Sequence, residues 1–107
     1  MCECNCKVVN ELRRDYVIVR CASAGVFAGV LAKADYKTEV TLKHARRIWY
    51  WKGAASLSEL ALHGVKHPKE CKFAVELPSV YLTGVIEIIP TSDIAQTNIR
   101  SVAEWRA

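Results

Sequence analysis

The run Ala45-Arg46-Arg47-Ile48-Trp49-Tyr50-Trp51-Lys52-Gly53-Ala54-Ala55-Ser56 brings cationic and planar side chains together. Arginine offers a flat fork of donors that matches phosphate, and aromatic rings stack on bases. No acidic residue lies between Glu39 and Glu59 to offset this charge. Such a run suits a nucleotide. It also suits a strand whose alternate side chains enter a core, because Trp and Tyr favour strands. On a strand Arg46 and Arg47 face opposite sides, so only one can serve a given site. Lys52 and the Gly53-Ala54-Ala55 link lead into a helix start at Ser56. Successive N–H groups entering a helix attract anions, and small residues permit close approach. Arg46, Arg47, Lys52, Gly53 and Ala54 are therefore candidate contacts for a nucleotide and its phosphates. The alternative is that this turn only packs a subunit interface.

Arg20 is the second candidate. It interrupts an apolar strand, and a guanidinium removed from water must be paired because it cannot shed its charge. Glu76, Glu87, Asp93 or a ligand phosphate could be its partner. Arg100 projects from a C-terminal helix. Two guanidiniums converging from separate elements would clamp a pyrophosphate. His44, His63 and His67 fall in no familiar metal spacing, and Gly64 and Pro68 break the turn that would align the last two. No Gly-x-Ser-x-Gly elbow, Walker loop or dinucleotide fingerprint occurs. Cys2, Cys4 and Cys6 could ligate a soft metal but lack the spacing of a structural zinc site, and a reduced terminus is the simpler reading. With no catalytic constellation, the chain reads as a binding protein, not an enzyme. No cofactor and no metal are expected.

The elements that must position these residues follow from pattern. With 107 residues the chain is one domain, 1–107, of which 1–14 form a Cys-containing extension. A composition of 51% hydrophobic and 24% charged residues fits a soluble globular domain. Its apolar runs are too short for a membrane helix, and the N-terminus lacks a signal-peptide core, so a cytoplasmic location is the default. The net charge of +4 favours anionic partners without establishing nucleic-acid binding. Alternation predicts strands over 16–21, 26–33, 39–43 and 46–51, with Gly29 marking a bulge or close approach. Further strands are predicted over 72–77 and 79–89, the last framed by Pro78 and Pro90. Ser56 with Glu59 forms a capping box for a short helix that ends at Gly64. Thr91 or Ser92 caps a second, C-terminal helix that carries Asp93 at its positive end. The predicted fold is mainly β, an antiparallel β-sandwich or Greek-key core decorated with two or three short helices.

Three segments resemble phage anti-Thoeris proteins of the first type, small sponges for cyclic nucleotides. They are Tyr16-Val17-Ile18-Val19-Arg20-Cys21-Ala22-Ser23-Ala24-Gly25-Val26-Phe27-Ala28-Gly29, the run from Ala45 to Leu60, and Val85-Ile86-Glu87-Ile88-Ile89-Pro90-Thr91. The similarity extends from about Tyr16 to Trp105. It implies a non-enzymatic protein that binds cyclic ADP-ribose isomers made by Thoeris TIR enzymes and so blocks bacterial immunity. It further implies self-association to a dimer or hexamer, and in some members a second site for CBASS cyclic oligonucleotides such as cyclic trinucleotides. Arg20 and Arg100 match the two arginines of the family's messenger pocket. In such a pocket N–H groups near Thr91 would hold phosphate and Phe27 would cover the base. The resemblance implies neither a membrane nor a DNA partner. The competing readings are a small oligomeric β-fold protein that binds single-stranded nucleic acid, whose affinity would fall steeply with salt, and a hydrolase of the same messenger.

Overall fold

The computed structural model describes residues 12–34 and 38–106. The cysteines at 2, 4 and 6 and the turn expected at 35–37 lie outside the described residues. Among the described residues six strands and two helices follow one another. Strands β1 (Leu12–Cys21), β2 (Gly25–Ala34) and β3 (Val40–Tyr50) form an antiparallel meander. Then come α1 (Leu57–His63), a 3₁₀ turn at Pro68–Glu70, β4 (Lys72–Phe73), β5 (Leu77–Leu82), β6 (Val85–Ser92) and α2 (Asp93–Ser101). All strands join one antiparallel sheet in the order β4-β3-β2-β1-β6, with β5 also paired to β3. The fold is thus mainly β with two helices, one of them C-terminal.

The sheet has a core on each face. Tyr16 and Ile18 of β1 join Ala28, Ile48 and Phe73 beneath α1 and α2, where Leu60, Ala61, Ala95 and Ile99 complete the layer. On the other face Val17, Val19 and Cys21 pack with Phe27, Val40, Leu42, Leu82 and Val85. Among the described residues no helix covers this second face. The sheet covers it by rolling, because β5 on one edge and β6 on the other are separated by only Thr83 and Gly84. The Val85 N–H donates to Thr38 O and the Ala22 N–H to Gly84 O, which closes that end.

The segments expected as two strands at 39–43 and 46–51 are one strand, β3, carrying a bulge. Its pairing with β2 slips by one residue between Val30↔Lys43 and Ala28↔Arg46. His44 sits there at φ 51, in the left-handed region. A one-residue slip exchanges the faces of everything beyond it. Val40 and Leu42 therefore face the rolled side, whereas Arg46 and Ile48 face the helices. Gly29 lies opposite the bulge, where a Cβ would press on Ala45 Cα and Lys43 O at 3.0 Å. The close approach expected at Gly29 is thus to β3 itself.

The long strand expected at 79–89 is broken at Thr83-Gly84, where Gly84 adopts φ 71. Alternating β-favouring residues cannot reveal a chain reversal when the turn has only one glycine to mark it. Likewise 72–77 is not one strand: pairing lapses after Phe73 and resumes at Leu77. Pro78 and Pro90 do not frame strands but lie within β5 and β6. Both are edge strands, where a missing N–H can be tolerated. Helix α1 follows the sequence closely. Ser56 Oγ accepts from Glu59 N, Glu59 Oε1 accepts from Ala55 N, and Gly64 ends the helix at φ 75. No helix among the described residues is long and apolar enough to cross a membrane.

Candidate functional site

Arg46 is 3% exposed and spends its guanidinium on backbone. Nε donates to Ala74 O at 2.9 Å, and one terminal nitrogen donates to Ile99 O at 2.9 Å and Val102 O at 2.6 Å. The other donates to Phe73 O at 3.4 Å, and the fork lies 5.5 Å over the Phe73 ring. The carbonyls of Ile99 and Val102 end α2, so Arg46 caps that helix at its negative pole. Burial lowers its pKa against the opposing pull of Tyr16, Glu76 and Glu104. Arg46, expected as a ligand contact, is a structural clamp whose donors are consumed internally.

The other expected contacts of this second site also have partners within the chain, in solvent for Lys52. Lys52 Nζ donates to Glu70 Oε1 at 2.9 Å, and this bond holds the lysine pKa up and the carboxyl pKa down. Gly53 adopts φ 95, and a Cβ there would run into the Lys66 backbone, whose N–H bonds Gly53 O. Ala54 packs on the helix-side core. The small residues therefore admit the chain's own backbone. Arg47 and Lys52 are the exposed members of this set, and Arg47 has no ion pair among the described residues. It faces away from Arg46, as alternation requires, with its guanidinium 4.7 Å over the Phe27 ring.

Arg20 and Arg100 are both surface residues. Arg20 lies on the helix-side row of β1 beyond Ile18, with its side chain 48% exposed. Its Nε donates to Glu87 Oε1 at 3.0 Å across the β1–β6 register. The anomalous strand cation is thus paired with one of the expected acids, in solvent and not in the core. Arg100 pairs with Glu76 at 3.8 Å, and His44 Nδ1 approaches the same carboxylate at 3.4 Å. A polar cleft of about 170 Å³ lies there, lined by Arg46, Glu76, Arg100, Val102 and Glu104. Glu87 is on the β6 edge, and Glu76 follows β4 on the opposite edge. The partners of the two arginines therefore lie on opposite edges of the sheet.

Phe27 and Thr91 are placed differently from expectation. Phe27 is 1% exposed, within the rolled core and under Arg47, so its ring has no free face for a base. Thr91 is fully buried and donates from Oγ1 to Tyr16 O at 2.6 Å. Ser92, also buried, accepts from Ala95 N and donates to Leu62 O, which closes the start of α2. No phosphate can reach Thr91 without opening the β6–α2 junction. Residue order does not reveal this, because a capping residue looks alike whether or not its helix start is solvated.

Tyr16 is a group that sequence reasoning missed. It is fully buried, and its hydroxyl has no hydrogen-bond partner among the described residues. Burial pushes its pKa up from 10.0 to about 12, although the charges of Arg100 and Arg46 pull the other way. The folded chain disfavours the phenolate. Stability is therefore full below pH 10.0 and is lost as pH rises through that value towards about 12. Tyr16→Phe should leave stability unchanged or raise it by about 1 kcal/mol at neutral pH, since an unsatisfied buried hydroxyl is removed. It should also flatten the alkaline arm of a urea-midpoint-against-pH curve. An alkaline arm identical to wild type would show that Tyr16 does not drive it.

Among the described residues no cluster of three or more His, Cys, Asp or Glu side chains is placed to hold a metal ion. The domain of unknown function DUF6948 matches residues 14–99. The chain belongs to this family. The DUF6948 match runs from β1 into α2, so it includes Arg20, Arg46 and Trp49 but stops short of Arg100 and Trp105. No curated protein matches the chain, and no solved structure does.

Proposed function

We propose that this protein is a non-enzymatic sponge that binds and sequesters a cyclic ADP-ribose isomer made by Thoeris TIR enzymes. The observation that carries the reading is the state of Arg20. It is a half-exposed guanidinium that follows the buried apolar run Tyr16-Val17-Ile18-Val19, and it is paired with the exposed carboxylate of Glu87. Such a surface pair is worth little, and a phosphate can replace the carboxylate with stronger, bidentate hydrogen bonds. Arg100 has a similar partner in Glu76. Because those partners lie on opposite edges of the sheet, the reading has a second copy bring Arg100 towards Arg20. Self-association is thus part of the proposal, and it fits a small domain that exposes Ile86, Ile88 and Ile94 around its β6 edge.

Native mass spectrometry with the cyclic isomers tests this directly. The expected spectrum shows an oligomer carrying ligand of unchanged mass, which heat then releases intact. A monomer with no bound messenger at micromolar concentration would sink the proposal, and a released ligand of altered mass would make the protein an enzyme.

A further inference from the structure

The unclaimed part of the basic aromatic run lies on the face opposite Arg46. Trp49 is 63% exposed and Trp105 43%, with ring centroids 6.1 Å apart at a tilt of 50°. Sequence separates the two indoles widely. The structure joins them because Trp105 N donates to Phe73 O, which lays the C-terminal segment beside β4. Each ring neighbourhood carries a cation: Lys72 Nζ lies 5.2 Å over Trp105, and Arg47 stacks on Phe27 next to Trp49. Among the described residues neither Arg47 nor Lys72 has a carboxylate within ion-pair distance. Two clefts flank Arg47 and Trp49. One, of about 250 Å³, reaches Ala24, Gly25 and Val26. The other, of about 200 Å³, reaches Phe27, Val75 and Leu77.

We propose that the surface formed by Trp49, Trp105, Arg47 and Lys72 is a stacking platform for single-stranded nucleic acid, distinct from Arg20 and Arg100. The occupant follows from charge and shape together. An apolar partner would leave two unpaired cations facing it, and a simple anion would make no use of the exposed indoles. A single strand supplies both planar bases and regularly spaced phosphates. The tilt between the rings suits successive bases of a bent strand. The flat guanidinium of Arg47, already backed by Phe27, keeps its edge donors for phosphate.

The probe is a short oligouridylate titrated into the full chain, read by quenching of tryptophan fluorescence and by anisotropy of an end label. Binding is expected, with log K falling as log salt rises. Trp49→Ala should weaken it about tenfold or more, and Trp49→Phe should recover part of the loss. Lys72→Ala should reduce the salt slope by about 0.7. Arg20→Ala should bind as wild type, which separates this surface from the messenger reading. Trp49 is exposed, so its variants should keep the wild-type circular dichroism spectrum. Oligouridylate that does not bind, or Trp49→Ala that binds as tightly as wild type, overturns the proposal. Uridine monophosphate binding as tightly as the oligomer would mark a mononucleotide pocket and overturn it too. Quenching driven by protein concentration alone would assign the face to a second copy and do the same.

Discussion

Arg46→Ala should be the most damaging single substitution in the described fold, lowering stability by about 3–5 kcal/mol. Four carbonyls, those of Phe73, Ala74, Ile99 and Val102, lose the guanidinium at once, and of these only Phe73 O and Ile99 O keep a backbone donor. Domains of this kind have roughly 5–15 kcal/mol in total, so the variant should sit near its unfolding threshold. Lysine is a poor substitute, because one ammonium cannot reproduce a planar fork that reaches both β4 and the end of α2. Urea unfolding followed by circular dichroism measures this. A midpoint within experimental error of wild type would mean that the carbonyls find other donors, and the clamp would have no energetic role.

Arg20→Ala should have the opposite profile. The Arg20–Glu87 pair is solvent-exposed on both sides, so its loss should change stability by less than about 1 kcal/mol. Messenger binding, under the proposed function, should fall at least a hundredfold, because a charge-assisted, bidentate fork on phosphate is removed. Calorimetric titration of wild type and variant with each cyclic ADP-ribose isomer reads this. Undiminished affinity in a folded Arg20→Ala protein would reduce Arg20 to a surface ion-pair partner. Glu87→Gln sharpens the result: freeing the guanidinium should tighten binding if phosphate and Glu87 compete for it.

The two arginines show what could be read from residue order and what could not. Alternation places Arg20 within an apolar strand, and Glu87 is one of the acids that could pair with it. Its exposure depended on where the helices end, which no local pattern encodes. Arg46 was visible as half of a pair facing opposite ways. Which of the pair was buried turned on the His44 bulge, and a non-glycine residue in the left-handed region has no reliable signature. Helix α1 was legible because its signals are local: a capping serine, a glutamate one turn on, and a glycine to stop it. The break at Thr83-Gly84 and the meeting of Trp49 with Trp105 depend on how distant segments fold back, so neither was legible. The aromatic run was ambiguous for a physical reason too. Trp49 faces solvent, whereas Trp51 packs against the helix-side core.

The place of β1 in the sheet bears on how the chain acquires its structure. Although near the start of the described sequence, β1 has β6 as one of its two neighbours, and Thr91 bonds to Tyr16 from 75 residues away. The meander β1–β2–β3 can form from local contacts. The helix-side core, however, has only α1 as a partial lid until β6 and α2 arrive. Non-local pairing of this kind slows folding, because a long loop must close before any contact rewards it. On a ribosome, the emerging meander would expose Tyr16, Ile18 and Ile48 until nearly the whole chain had been made. Late synthesis is therefore the interval in which this protein is most open to aggregation, and substitutions in β6 should reduce yield more than their effect on the finished fold would suggest.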